Sequence, residues 1–189
     1  MSAMAKVCED LALVERFRRG EDSAFDRIVE QHAAEVAALA NRLLGWPGDV
    51  DDIVQDVFVA AFVGLKKFRG ESSLRTWLFT ITVNQCRRCR FRRRRLRPVA
   101  LEEAGTVESP DRGGDKAAMD QETFARVRRA VQALPQKYRE VVALTYLQGL
   151  EAGEVCRLLG ITTNVLQVRL TRARKRLRDR LGDLLEEKS

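Results

Sequence analysis

The chain has 189 residues, 45% of them apolar and 32% charged, which excludes both an intrinsically disordered and a membrane-embedded protein. No run approaches the ~18 uninterrupted apolar residues of a spanning helix. Acids occupy the positions where a signal peptide needs an apolar segment, so a cytoplasmic protein is expected. Four cysteines are too few for a disulfide scaffold, and a single histidine, His32, argues against a His-dependent catalytic or metal site.

Helical periodicity dominates the first half of the chain, and no strand pattern is visible. Helices are predicted over residues 11–19, 23–43 and about 50–65, and a fourth helix starts at Ser72 or Ser73 and runs into an arginine-rich segment. In the second helix, apolar residues recur every three or four positions, and His32 lies within this stripe, which predicts a packed core residue. Asp49 is expected to cap the third helix.

The composition changes near residue 98. Residues 98–120 carry 6 acids against 2 basic residues, with Gly and Pro and little apolar periodicity, which is typical of a linker. Beyond it, a stripe of Phe124, Val127, Val131 and Leu134 predicts one helix, and three further helices follow. The sequence therefore predicts an all-α protein of two small helical domains, over 1–97 and 122–189, joined by a flexible acidic linker over 98–121.

The net charge of +7 is distributed unevenly along the chain. Residues 1–97 hold 18 Lys and Arg against 13 Asp and Glu, and residues 121–189 hold 14 against 8. Two basic modules on either side of an acidic spacer indicate that each module meets a polyanion. Nucleic acid is the first candidate, and an anionic membrane surface is the second.

Residues 150–176 form the strongest local pattern: a short helix, a turn at Gly160 and a longer arginine-rich helix, as in a helix-turn-helix. Gly160 suits a turn that requires a positive φ angle. The side chains expected to face inward are Val155, Leu158, Leu159, Ile161, Leu166 and Leu170. Those expected to face outward, toward base edges and phosphates, are Asn164, Gln167, Val168, Thr171, Arg172 and Lys175. The alternative is an ordinary helical hairpin with a solvated basic face.

Eight arginines lie between Arg87 and Arg97. At helical spacing they would surround the helix with positive charge, so this part is not expected to be a half-buried amphipathic helix. The segment just before it combines an aromatic ring, small polar groups and an amide, which suits single-stranded bases beside a phosphate-binding cluster. These residues are Thr76, Trp77, Thr80, Asn84 and Arg88. A merely solvated basic run is the alternative, and Trp77 alone could be a core residue.

A third pattern is acidic. Asp52, Gln55 and Asp56 fall on one helical face, opposite the apolar stripe, where they could bind a basic protein or simply be solvated. Cys86 and Cys89 have the spacing of half a zinc site, but no second pair exists. No phosphate-binding loop or nucleophile–base pair is recognisable, so no catalytic residues are predicted.

Two pairs of motifs resemble a known family. Region 2 of bacterial sigma factors is similar to the run Asp51-Asp-Ile-Val-Gln-Asp-Val-Phe58, followed by Phe68-Arg-Gly-Glu-Ser-Ser-Leu-Arg-Thr-Trp77. Region 4 is similar to Leu134-Pro-Gln-Lys-Tyr-Arg-Glu-Val-Val142 and to Leu158-Leu-Gly-Ile161 through Arg169-Leu-Thr-Arg-Ala-Arg174. The resemblance covers about residues 11–97 and 122–181. Because only these two regions are present, the chain is identified as a member of the extracytoplasmic-function (ECF) branch of the sigma-70 family.

The resemblance implies a non-catalytic subunit that binds core RNA polymerase, directs it to promoters and helps to open the −10 duplex, with no cofactor, metal or small-molecule substrate. The residues that would face the coiled coil of the polymerase β′ clamp are Asp51, Asp52, Gln55 and Asp56. The residues implied at the −10 element are Phe68, Arg69, Gly70, Glu71, Ser72, Ser73, Trp77, Asn84, Arg87 and Arg88. Those implied at the −35 element are Asn164, Gln167, Val168, Thr171, Arg172 and Lys175. Further implied partners are the polymerase β flap and an anti-sigma factor, which could hold the protein at the inner face of the membrane.

The chain departs from the family pattern in the helix-turn-helix. Glu151 and Ala152 stand where the family usually has Ser and Tyr, and Gln167 and Val168 stand where Lys and Ser commonly face DNA. An autonomous helix-turn-helix regulator is the alternative function, although such a protein needs neither the acidic face nor a reader of single strands. A nucleic-acid-processing enzyme is a third class, for which the chain has no catalytic set. Redox or metal sensing by Cys86 and Cys89 is a further possibility.

Overall fold

The computed structural model describes residues 3–45, 47–96 and 115–186. Within these ranges the chain forms eight α-helices and no strand, which confirms the predicted all-α fold. The described residues divide into two compact units, residues 3–41 with 48–96, and residues 42–45 and 47 with 115–186. None of the described helices is both long enough and apolar enough to cross a bilayer.

Four helices precede the acidic segment, and all four were predicted from periodicity. They are α1 (Ala3–Arg18), α2 (Ser23–Leu44), α3 (Val50–Leu65) and α4 (Leu74–Leu96), with a single 3₁₀ turn (Pro47–Asp49) before α3. Helix α1 begins well before the predicted start at residue 11. Phe17, Phe25 and Phe62 form an aromatic cluster with ring centroids 5.1–5.6 Å apart, so apolar packing of α1, α2 and α3 builds this core.

His32 is a packed core residue, as its position in the apolar stripe predicts. It is 1% exposed, and its Nε2 atom lies 3.0 Å from Oδ1 of Asp10, which is itself buried. The sequence pattern did not identify Asp10 as the partner, because the two residues lie on different helices. A polar group inside an apolar core requires such a partner, since an unpaired buried polar group costs free energy.

Four helices follow the acidic segment. They are α5 (Asp115–Gln132), α6 (Gln136–Val142), α7 (Ala152–Leu159) and α8 (Thr163–Glu186), and a π-helical turn (Ala143–Leu147) extends α6. Their core contains Val131, Leu134, Tyr138, Val142 and Ala173, with Leu177 packed against it. The shared core explains why α8 extends far beyond the helix-turn-helix: its later turns cover α5 and α6.

The predicted linker over 98–121 lies mostly outside the described residues. Helix α5 begins inside it, at Asp115, because strong helix formers and neither Gly nor Pro follow Gly114. The predicted apolar stripe of α5 is only half correct: Phe124 is 70% exposed and Val127 is also exposed, whereas Val131 and Leu134 are buried. Among the α5 side chains that the structure describes, from Glu122 on, Ala130 is the first that is buried, so the stripe identifies one face of the helix but not the length over which other helices cover it.

Candidate protein and nucleic-acid interfaces

The acidic residues of α3 lie together on an exposed face. Asp51, Asp52, Gln55 and Asp56 are all exposed. The opposite face of the helix is buried through Ile53, Val57, Phe58, Ala61 and Leu65. The apolar face therefore fixes the rotation of α3 and presents the acids to solvent, as the spacing predicts. Two of these acids stand in the first turn, where carboxylates interact favourably with the helix dipole.

An apolar continuation of this acidic face was missed by the sequence analysis. Val59 and Val63 follow Asp52 and Asp56 at helical spacing, and they are 60% and 73% exposed. The helix thus presents one stripe that is acidic in its first half and apolar in its second. The spacing 52, 56, 59, 63 was the signal that could have found it, but apolar residues in a helix are ordinarily assigned to the core.

Phe68, at the start of the predicted −10 loop, is a buried residue and not part of the loop surface. It is 5% exposed, and its ring packs on that of Trp77 with the centroids 5.2 Å apart. Its backbone carbonyl accepts a hydrogen bond from the guanidinium group of Arg18 in α1. The ring of Phe68 therefore supports the loop from below, and the assignment of Phe68 to the −10 contact stays a prediction.

The exposed part of this loop consists of Arg69, Gly70 and Glu71. Gly70 has a φ angle of +71°, a conformation that other residues adopt only with strain. Arg69 Nη1 and Glu71 Oε1 lie 3.8 Å apart in full solvent, where such a pair contributes little to stability. The loop therefore offers both a cation and an anion to a ligand, held on a fixed turn.

The start of α4 is fixed by a capping hydroxyl. The backbone N–H of Thr76 donates a hydrogen bond to Oγ of Ser73 at 3.1 Å, which is the geometry of an N-cap. Ser73, rather than Ser72, is thus the residue that begins the helix. Thr76 is buried and Trp77 is only partly exposed, so neither offers a fully exposed group to a base, and their place beside single-stranded bases stays a prediction.

Helix α4 is half-buried along its arginine-rich part, contrary to the prediction. Cys86 and Cys89 are buried and continue the inward face of the helix, Arg87 is half-buried, and Asn84 and Arg88 are exposed. The prediction failed because the two cysteines were considered as metal or redox groups and not as small apolar core residues. Among the described residues no cluster of three or more His, Cys, Asp or Glu side chains could hold a metal ion.

Asp49 joins α3 to this buried face of α4. It stands at the N-cap position of α3, as predicted, but its side chain makes no capping hydrogen bond. Its Oδ2 atom instead accepts from Cys89 Sγ and from Arg93 Nη1, each at 3.5 Å. Burial, followed by the hydrogen bond and charge of Asp49, raises the pKa of the Cys89 thiol above 9.0.

An open groove of about 460 Å³ lies between α3 and α4 at this point. Asp52 and Asp56 line one side, Arg92 and Arg93 line the other, and Cys89 and Asp49 lie within it. Acidic and basic side chains thus line the same groove, so the two charges are presented next to each other on the same unit.

The helix-turn-helix has the geometry that the sequence predicts. Gly160 ends α7 in the left-handed region, with φ 66° and ψ 41°. The inward side chains Val155, Leu158, Leu159, Leu166 and Leu170 are buried, and Ile161 is partly buried. Where the family Ser is missing, the backbone N–H of Glu151 donates to Glu154 Oε2 at 3.1 Å, so a carboxylate caps the start of α7.

Every outward residue predicted on α8 is exposed. The set is Asn164, Gln167, Val168, Thr171, Arg172 and Lys175. Val168 is 49% exposed and Val165 is 39% exposed, so an apolar contact surface lies among the amides. Amide, methyl and guanidinium groups on one helix face form the set that distinguishes base pairs in the major groove.

Tyr138 was missed as a residue that supports this surface. Its buried ring packs in the core below α8, and its hydroxyl accepts a hydrogen bond from Arg172. The guanidinium of Arg176 lies 5.5 Å from the ring centroid. The Arg172 hydrogen bond, with the charges of Lys137, Arg172 and Arg176, lowers the pKa of Tyr138 below 10.0. The periodicity of α6 indicated a core position but gave no sign of its partner on another helix.

Two family models match the chain, one in each unit. The model of Sigma-70 region 2 matches residues 28–97, and the model of Sigma-70 region 4 matches residues 124–177. Among curated proteins, the ECF RNA polymerase sigma-E factor of Escherichia coli (strain K12) is 29% identical over 190 aligned residues, which cover 96% of this chain and 99% of that protein. Both regions and nearly the full length of the relative are thus represented.

Solved structures support the same assignment. CnrH, solved in complex with the cytosolic domain of CnrY, is 29% identical with a TM-score of 0.66, over 96% of this chain and 99% of that one. The sigma factor RpoE of Bartonella quintana, solved in complex with the anti-sigma factor NepR, shares the fold with a TM-score of 0.70 at 23% identity, over 84% of this chain and 96% of that one. With both regions in order, and with the matched segments covering the acidic helix and the helix-turn-helix described above, the chain belongs to the sigma-70 family as an ECF sigma factor.

Proposed function

We propose that this sigma factor acts as a dissociable promoter-specificity subunit, without catalysis of its own, that binds core RNA polymerase and leads it to promoters with −10 and −35 elements. The observation that carries the proposal is the exposed acidic face of α3 in a protein of net charge +7. Four acidic or amide groups facing solvent are unsuited to DNA but suited to a basic protein surface. The unit that presents them also presents a basic helix and loop suited to nucleic acid.

The polymerase contact assigned to this face involves Asp51, Asp52, Gln55 and Asp56. Their partner is the coiled coil of the β′ clamp, by analogy with the family, and the second unit is assigned to the β flap. Val59 and Val63 extend the same stripe, so the contact would be charged at one end and apolar at the other. Charge then guides the encounter, and apolar burial slows dissociation.

The −10 contact is assigned to the loop and to the exposed side of α4. The groups available at the surface are Arg69, Gly70, Glu71, Ser72, Asn84 and Arg88. Phe68, Ser73 and Trp77 hold this surface in place through the ring contact and the helix cap. Arg87 is half-buried and contributes charge near the strand. A preformed loop of this kind suits a flipped base, whose edge is free for hydrogen bonds.

The −35 contact is assigned to the exposed face of α8. Gln167 and Asn164 have the amide geometry that recognises adenine, and Val168 offers an apolar surface to a thymine methyl group. Arg172, Thr171 and Lys175 can reach guanine or phosphate oxygens. Because Gln167 and Val168 replace Lys and Ser, this face relies less on charge and more on base edges than the common family pattern.

Charge reversal at Asp52 and Asp56, both to Lys, tests the polymerase contact. We expect at least about a tenfold loss of affinity for core polymerase, because two like charges then face a basic surface. The matched control reverses Asp26 and Glu30, an exposed pair at the same spacing on α2. Unchanged polymerase binding by the Asp52/Asp56 variant would contradict the proposal. Tight duplex binding without polymerase would favour an autonomous regulator instead.

Control by an anti-sigma factor is part of the proposal. CnrH was solved with the cytosolic domain of CnrY, and it covers nearly the whole of this chain. Such a partner would keep the sigma factor in the cytoplasm, at the membrane if the partner itself is anchored there. Purification of the chain from its native cells under non-inducing conditions should yield a stoichiometric small partner, and a free monomer would argue against this control.

A further inference from the structure

Two valines stand on the solvent side of α8, where the packing of the helix does not require them. Val165 is 39% exposed and Val168 is 49% exposed, whereas Leu166 and Leu170 are buried and fix the rotation of the helix. Valine is a poorer helix former than leucine or the long polar residues, because its branched side chain is restricted in a helix. Neither helix formation nor the core thus explains the two valines, and their apolar surface is available to a partner.

The first turn of α8 holds Val165 in a fixed place. Its backbone N–H donates a hydrogen bond to Oγ1 of Thr162 at 3.4 Å, and that of Leu166 donates to the backbone carbonyl of Thr162 at 3.0 Å. This is the geometry of an N-cap. A valine in a helix strongly prefers one rotamer, so its methyl groups also point in one direction. Little side-chain entropy is then lost when a ligand binds here.

The two valines lie next to each other along the helix axis. Residues three apart are neighbours on a helix surface, and Arg172, four residues further, continues the same line. The three residues from Val165 to Val168 rise about 4.5 Å. This rise is close to the ~3.4 Å that separates neighbouring bases of one strand. Each valine can therefore contact one of two adjacent bases.

The groups around the valines restrict the chemistry of the partner. The amides of Asn164 and Gln167 and the cations of Arg172 and Lys175 are exposed on the same side of α8, and no Asp or Glu occurs from Thr163 to Arg178. Apolar groups between amides and cations suit the major groove, where thymine presents a C5-methyl group beside hydrogen-bonding base edges and phosphates. A purely apolar protein surface is unsuitable, because it would leave the amides and cations without water or partners.

We propose that Val165 and Val168 read the C5-methyl groups of two neighbouring pyrimidines in the −35 duplex. This inference deepens the proposed function and rests on the assignment of α8 to the −35 element. Thymine carries this methyl group in the major groove, and 5-methylcytosine carries it on the same ring carbon. The two valines therefore favour thymine over uracil and 5-methylcytosine over cytosine, which makes −35 recognition sensitive to methylation of cytosine in the DNA.

The test removes a methyl group from the DNA and leaves every hydrogen-bonding group in place. The probe is a fluorescent duplex that the full chain selects from a random pool, with one thymine at a time replaced by deoxyuridine. Affinity is read by anisotropy, for the chain alone and for the chain with core polymerase. At two neighbouring positions we expect deoxyuridine to weaken binding about fourfold, the factor for one buried methyl group.

Protein variants assign each methyl group to one valine. Val165→Ser and Val168→Ser should each abolish the difference between thymine and deoxyuridine at one position and retain it at the neighbouring position. With cytosine at either position, a 5-methyl group should tighten binding of the original chain about fourfold, and the corresponding serine variant should not respond. Val127→Ser is the matched control, since Val127 is 38% exposed in the same unit, and it should retain every difference.

Three results would overturn the inference. No deoxyuridine replacement weakens binding, a 5-methyl group on cytosine has no effect at either position, or the serine variants lose affinity equally for thymine and deoxyuridine. A variant that merely folds poorly gives the third result with both bases, so the comparison within one protein separates base reading from stability. If the chain selects no duplex, alone or with core polymerase, the assignment of α8 to −35 DNA fails as well. Duplex binding that is indifferent to the methyl groups rejects only the role of the valines.

Discussion

At the scale of single residues, Cys89 and Cys86 show how a residue type can mislead. Their spacing suggests a metal or redox pair, yet both side chains continue the inward face of α4, and Cys89 donates to Asp49. Because burial and Asp49 raise the pKa of Cys89, its thiolate fraction at neutral pH is smaller than that of a free thiol. The position is therefore protected, both sterically and electrostatically.

We expect a thiol reagent at neutral pH to modify the exposed Cys8 first and Cys89 slowly. Asp49→Asn should accelerate the modification of Cys89, because it removes the charge that raises the pKa of the thiol. Mass spectrometry of the modified peptides measures each cysteine separately. Equal rates at Cys8 and Cys89 would contradict the prediction. The raised pKa also makes folding stability depend on pH. The stabilisation from protonated Cys89 is complete below pH 9.0 and is lost as the pH rises through the raised pKa.

Tyr138 gives a second prediction at this scale. Its hydrogen bond from Arg172, with the surrounding cations, lowers its pKa, so its phenol should ionise below pH 10.0. Ionised Tyr138 then adds stability above its unfolded pKa that is lost as the pH falls through the lowered value. Arg172→Ala should raise the titration midpoint. Ultraviolet absorbance in a Tyr146→Phe background measures Tyr138 alone, since the chain has 2 tyrosines. A midpoint unaffected by Arg172→Ala would show that the hydrogen bond is absent in solution.

At the scale of elements, periodicity predicted well which segments form helices, but it predicted poorly which part of each helix is covered by other helices. The stripe of α2 and the inward face of the helix-turn-helix are buried or partly buried, as expected. Among the described side chains of α5, the stripe is buried only from Ala130 on, and Val59 and Val63 on α3 are 60% and 73% exposed. Spacing reports which side of a helix a residue occupies. Only the tertiary structure shows what packs against that side. For the same reason, the sequence did not reveal that Asp10 pairs with His32 or that Tyr138 pairs with Arg172.

Gly160 provides the test at this scale. Its φ angle of 66° is left-handed, and no atom lies within 4 Å of an added Cβ, so Gly160→Ala would cost backbone strain alone. We expect a loss of about 1 kcal/mol, seen as roughly fivefold faster amide hydrogen exchange in α7 and α8. The matched control is Gly153→Ala inside α7, which should slow exchange because Ala is the better helix former by ~0.5–1 kcal/mol. Similar effects of the two substitutions would contradict the strained turn.

At the scale of the whole molecule, acidic and basic side chains are grouped on different helices rather than mixed evenly over the surface. The acids of α3 face solvent on one side of the first unit, and the basic residues of α4 face solvent on another. The all-α fold and the helix-turn-helix could be predicted because they follow from local periodicity and from one glycine. The exposure of the acidic face could also be predicted, whereas its apolar continuation was missed although its spacing is visible in the sequence, and the burial of Phe68 depends on Trp77 packing against it.

A salt titration tests the charge distribution. Binding of the chain to −35 duplex DNA should weaken with salt, with a slope of about −0.9 per phosphate contact. Arg172→Ala should reduce the size of that slope by about one if Arg172 holds a phosphate, and should instead relax sequence preference at one base pair if it reads guanine. Arg27→Ala, an exposed arginine of the first unit paired with Glu30, is the control and should leave the slope unchanged. An unaltered slope and an unaltered preference together would remove Arg172 from the DNA interface.

The close approach of Gly64 to Trp77 has a consequence for how the first unit works. A Cβ at position 64 would lie 3.1 Å from Trp77 Cζ2, so the indole packs closely against the α3 backbone at Gly64. The same indole also packs against the ring of Phe68. The indole ring thus adds a side-chain contact between the helix that carries the acids and the loop that carries Arg69, beside the backbone hydrogen bond from Phe68 to Leu65. With α3 as the proposed polymerase contact, the loop would follow α3 at a fixed offset, and the position of strand opening would be set by protein geometry before any base is read.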